Sequence, residues 1–132
     1  MAGELKLLKL IKGMAPVLNE GEYVFTTLKD ADLVPRSETI CEFKEHEGIT
    51  IVLERRKADH YNLSYSYTAS WITLCIHSSL DAVGLIALIS NELMTQNIGC
   101  NVISGYYHDH LFVAKKDAQK ALKVLFNLID TY

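Results

Sequence analysis

Between Trp71 and Asp130 the hydrophobic period changes three times, and that alternation limits what this chain can fold into. Trp71-Ile72-Thr73-Leu74-Cys75-Ile76 is dense in aromatic and β-branched residues and reads as a strand. Ala82 to Gln96 places Val83, Leu85, Ile86, Leu88, Ile89 and Leu93 on a broad helical face, ended by Gly99. Asn101-Val102-Ile103-Ser104 and Leu111-Phe112-Val113 return to strand character, joined through Gly105 to His110. Ala118, Ala121, Leu122, Leu125, Phe126 and Ile129 then mark a last amphipathic helix. The product is one β-α-β-β-α unit, in which helices cover one face of a sheet.

The first half repeats this unit faintly. Glu4 to Met14 reads as a helix with Leu5, Leu8 and Ile11, joined by Leu7, on one face, and Asn19-Glu20-Gly21 as a turn. Tyr23 to Leu28, Ile40 to Lys44 and Ile49 to Leu53 read as strands, and Arg55 to Tyr61 as a short helix. Gly48 to Asp59 echoes His110 to Ala118: a strand, basic residues, a helix start. The long first helix has no counterpart there, since Lys29 to Ser37 carries Asp30, Asp32 and Pro35 and reads as loop.

Composition narrows the function. The chain has 132 residues, a formal net charge of −3 and no basic stripe, which argues against nucleic acid. Apolar runs break well before membrane-spanning length, and the lysines of residues 1–12 do not suit a signal peptide, so a cytoplasmic protein is expected. Cys41, Cys75 and Cys100 have no CxxC spacing and read as reduced, buried thiols. No P-loop, GxSxG or HExxH occurs, and Cys75 beside His77 is a weak nucleophile pair, so no enzyme is expected. Glu42, Glu45, Glu47 and Glu54 among Lys44, Arg55 and Arg56 read as a solvated surface.

The turn from strand to helix, Ser78-Ser79-Leu80-Asp81-Ala82-Val83-Gly84, joins small residues, a carboxylate and a glycine at a helix entrance. Unpaired amide donors at such an entrance suit a carboxylate, and Gly84 permits close approach. Asp81 suits an ammonium group, with Asn101 able to donate and accept beside it. Each residue also has a plain structural role, Ser79 as N-cap and Asp81 as a partner of the helix dipole.

Ser79 and Asp81 before Val83-Gly84, the aliphatic series Ile86, Ile89, Leu93 and Ile98, the strands Asn101–Ser104 and Leu111–Val113, and Asp117 with Ala121-Leu122 together resemble the ACT domain. The chain also resembles a small bacterial group of stand-alone tandem ACT-like proteins, with Gly105-Tyr106-Tyr107-His108-Asp109-His110 as a characteristic run. The resemblance implies an α+β fold of two tandem ferredoxin-like units with antiparallel sheets and helices on one face. Residues 1–67 form the degenerate unit and 68–132 the complete one. It implies non-catalytic binding of a small metabolite, an amino acid, without a cofactor. The implied site uses Ser78, Ser79, Leu80, Asp81, Val83, Gly84, Asn101 and Ile103. A homodimer and a separate regulated protein are the expected partners. Two alternatives remain at this point: an interaction module without ligand, and a metal site at His108 and His110, which share a face if extended. Replacing Gly84 by Val is expected to crowd the helix–sheet contact.

Overall fold

The computed structural model describes residues 2–76, 80 and 82–132, with side chains from Lys6 onward. Ser78, Ser79, Asp81 and His77 lie outside the described residues. The elements in chain order are α1 (Ala2–Lys12), β1 (Pro16–Leu28), β2 (Cys41–Lys44), β3 (Ile49–Glu54), α2 (Arg55–His60), β4 (Thr68–Leu74), α3 (Leu85–Thr95), β5 (Cys100–Ser104), β6 (Asp109–Ala114) and α4 (Ala118–Thr131).

Two compact units result, and they are nested. Residues 20–69 form one; residues 1–19 join 70–132 to form the other. Packing thus groups the N-terminal 19 residues with the second half of the chain. The physical reason is the core that α1 feeds: Ile11 and Met14 are buried among Ile72, Leu74, Ile89, Leu93, Leu111 and Leu125. The buried face of α1 is Leu7, Leu10, Ile11 and Met14, spaced i, i+3, i+4, i+7, whereas Leu8 is exposed. The apolar face expected through Leu8 is thus rotated, because Leu8 lies among Lys6, Lys9 and Lys12.

Both units share one strand order. In the larger unit the order is β4-β6-β5, with the start of β1 outside β4. In the smaller it is β1-β3-β2, the first strand again beside the third. Antiparallel registers match: Ser104 pairs with Asp109 at the β5–β6 hairpin as Lys44 pairs with Ile49 at the β2–β3 hairpin. Even the strand-to-helix corners agree, Glu54 at φ −59°, ψ 138° and Ala114 at φ −54°, ψ 140°. Each unit is therefore a β-α-β-β-α ferredoxin-like fold, and the first is degenerate. In place of a counterpart to α3 it has two 3₁₀ turns, Ala31–Leu33 and Arg36–Glu38.

Three local expectations change. The turn expected at Asn19–Gly21 is continuous strand, with Gly21 taking φ +104° within it. Helix α3 begins at Leu85 rather than Ala82, because Gly84 sits at φ +99° as its N-cap. It ends at Thr95, and the residue that stops it is Asn97, not Gly99. Asn97 takes φ +59° and its N–H donates to Met94 O, while the Ile98 N–H donates to Leu93 O at 3.0 Å. That is a Schellman stop, and Ile98 meets Leu93 in the core. α2 stops the same way at Asn62, φ +56°, with Leu63 N–H donating to Ala58 O.

Candidate functional site

Strand parity decides which side chains meet the helix entrance. On β5, Cys100 and Val102 pack into the helix-covered core, so Ser104 faces the same way. On β6, Leu111 and Val113 do likewise, so Asp109 does too, and it is buried. Ser104 and Asp109 are register partners at the end of the hairpin. Together with Leu80, Ala82, Gly84, Leu85, Ile86 and Ala87 they line a pocket of about 100 Å³ at the start of α3.

The electrostatics follow from the helix. The first α-helical bond runs from Leu88 N–H to Gly84 O at 2.9 Å, so the amides of Leu85, Ile86 and Ala87 precede the ladder. Gly84 supplies no capping side chain. Leu85, Ile86 and Ala87 line the pocket together with Asp109. Free amides and the dipole's positive end suit an anion, a carboxylate suits a cation, and a zwitterion carries both.

Of the residues expected at the site, Leu80 and Gly84 line this pocket. Val83 does not, and is 86% exposed. Asn101 and Ile103 pair with Phe112 and His110 and occupy the opposite face of the sheet. They are one residue out of phase with the pocket. Ser104 and Asp109 line it although the sequence reading does not include them. The signal for them was a carboxylate at a core-facing position, two residues before Leu111 and four before Val113.

The histidines do not combine as the metal alternative needs. Asp109 and His110 belong to β6, while His108 lies in the turn, where its carbonyl accepts from Gly105 N–H at 2.9 Å. The Nδ1 of His110 is occupied by Trp71 Nε1 at 3.0 Å. Among the described residues no group of three metal-ligating side chains converges. The cysteines divide: Cys41 and Cys100 are half-buried, and Cys75 is exposed, against expectation. Burial pushes the Cys100 thiol up to about 11. The acidic hairpin region is a surface as expected, with the exposed pairs Arg55–Glu22 and Arg56–Glu54.

Two ACT domain family models match the chain, over residues 2–70 and 66–127. The chain belongs to the ACT domain family. A solved structure from Vibrio cholerae, of a protein of unknown function described as a possible transport protein, is 43% identical to it. The match covers 96% of this chain and 98% of that one, at a TM-score of 0.83. An Agrobacterium tumefaciens protein is 19% identical, covering 86% of this chain and 87% of its own, at 0.71. The ligand-free regulatory subunit of aspartate kinase from Thermus thermophilus shares the fold at 4% identity and a TM-score of 0.66, covering 86% and 97%. No curated protein matches. The two ACT matches meet near residues 66–70, whereas packing joins the N-terminal 19 residues to the second ACT unit. Among the described residues, no helix is long and apolar enough to cross a membrane.

Proposed function

We propose that this chain is a non-catalytic regulatory module that senses an amino acid in the pocket before α3. The observation that carries the reading is a pocket of about 100 Å³ lined both by Leu85, Ile86 and Ala87 at the start of α3 and by the buried Asp109. In this reading the ligand carboxylate takes the amides of Leu85 to Ala87, and its ammonium group takes Asp109, with Ser104 beside it. The volume favours a compact ligand over a nucleotide, since drug-sized pockets run to roughly 300 Å³ and more. Ser78, Ser79 and Asp81 remain candidates from the sequence alone. Three unpaired cysteines support a reducing compartment such as the cytoplasm. Membership of the ACT family supports regulation of a separate protein by a homodimer.

Thermal unfolding against each of the twenty amino acids is the test. One of them should raise Tm with the logarithm of its concentration, by the equivalent of about 2.7 kcal/mol at a hundredfold excess over its Kd. Asp109→Asn and Asp81→Ala should each weaken that response without unfolding the protein. Unchanged affinity in Asp109→Asn removes Asp109 from the site. No response to any amino acid overturns the sensing role and leaves an interaction module.

A further inference from the structure

On the sheet face opposite its helices, the larger unit holds a polar cluster that the pocket does not use. Trp71 Nε1 lies 3.0 Å from His110 Nδ1, and Thr73 Oγ1 lies 3.2 Å from the same nitrogen. The Asn19 amide donates to Thr73 Oγ1 at 2.9 Å and to Trp71 O at 3.2 Å. With Asn19 donating to its oxygen, the Thr73 hydroxyl can turn its own hydrogen toward His110. An indole N–H only donates, so Nδ1 must present its lone pair and the ring proton sits on Nε2. Charging the ring would place an N–H where Trp71 already aims one.

The other edge of the ring abuts the hairpin. A Cβ built on Gly105 would lie 3.3 Å from His110 Nε2 and 2.9 Å from the His108 carbonyl oxygen. Gly105 N–H closes the turn onto that carbonyl at 2.9 Å. The residues that flank the turn, Ser104 and Asp109, are the polar residues of the pocket. The imidazole is thus wedged between Trp71 and the turn that positions them.

We propose that His110 is a proton-operated switch of the β5–β6 hairpin. Charging its ring breaks the Trp71 hydrogen bond, loosens the Gly105–His108 turn and displaces Ser104 and Asp109 from the pocket. The displacement matters for sensing only if the pocket reading holds; the first two steps are independent of it. The groups around the ring fix the direction. Burial and the neighbouring His108 oppose its charge, and Asp109 partly offsets them, so His110 titrates below the ordinary imidazole value. The residues that meet it from β4 and β5 are uncharged, Trp71, Thr73 and Ile103, as is Asn19 of β1 behind Thr73. The folded state binds this proton less well than the unfolded state. Its contribution to stability is complete above about pH 6.5 and declines as pH falls from there to the depressed value.

Trp71 is the only tryptophan in the sequence, so its fluorescence reports on this contact directly. Titrating the full chain between pH 8 and pH 4.5 should give a transition with a midpoint below the ordinary imidazole value. His110→Gln, which keeps an acceptor for Trp71, should abolish it. His108→Gln should retain it at a higher midpoint, because one opposing charge is gone. In parallel, amide exchange at Gly105, corrected for intrinsic rate, should speed up about tenfold below the transition in the wild type, as expected for one lost hydrogen bond. It should not do so in His110→Gln. A fluorescence transition that survives His110→Gln, or unchanged Gly105 protection across it, overturns the switch. Neither readout needs a ligand, so failure here is distinct from silence in the amino-acid screen.

Discussion

Gly84→Ala isolates the conformational demand at the entrance of α3. Gly84 holds φ +99°, ψ −23°, well inside the region that L-residues avoid. Space is not the obstacle. A Cβ there would meet Leu7 Cδ2 at 3.5 Å, an ordinary contact. The expected cost is therefore backbone strain, about 1–2 kcal/mol for a residue with Cβ at positive φ. Alanine also narrows the unfolded ensemble, which returns roughly 0.4–1 kcal/mol. The net loss should be about 1 kcal/mol, or on the order of 4 °C in Tm for a domain of this size. Asparagine tolerates positive φ better, so stability should fall in the order Gly, Asn, Ala, Val. Urea unfolding of the four variants reads this directly, with m unchanged. Wild-type stability in Gly84→Ala would refute the strain argument. A neutral alanine with a severe valine, rescued by Leu7→Ala, would restore the crowding explanation expected from sequence.

Two further perturbations test the core and the thiols. Leu125→Ala removes a fully buried side chain of α4 from the larger core and should cost about 2–5 kcal/mol in chemical denaturation, whereas Phe126→Ala, half exposed on the same helix, should cost far less. Iodoacetamide at neutral pH should alkylate Cys75 well before Cys100, whose thiol burial has pushed up to about 11; mass spectrometry of the native protein reads the order. Because that folded-state value is raised, the Cys100 contribution to stability is present below the free-thiol value and is lost as pH rises through about 11.

Much of the architecture was legible because the hydrophobic period is a local property. The strands, the last helix, the hairpins and the repeated strand–basic–helix corner all follow from spacing and propensity. The site was half legible for the same reason. Leu80 and Gly84 stand in a turn whose composition is unusual on its own. Asn101 and Ile103 lie on the strand that borders the pocket, on the opposite face of the sheet. A short strand with a polar residue at one position and Cys100, Val102 and Ile103 at others does not announce its buried side; the facing core does.

By itself, then, the sequence determined two related β-α-β-β-α units, the loss of the long helix from the first, and a glycine-gated helix entrance in the second. Each is encoded in neighbouring residues through turn chemistry and side-chain period. Only the tertiary structure decided that α1 joins the second unit, that Asn97 rather than Gly99 ends α3, and that Ser104 and Asp109 face the pocket. The same holds for the meeting of Trp71 with His110, 39 residues away. These outcomes depend on which apolar surface is buried against which. That choice is made by contacts distant in sequence, where the free energy of burial outweighs local preference.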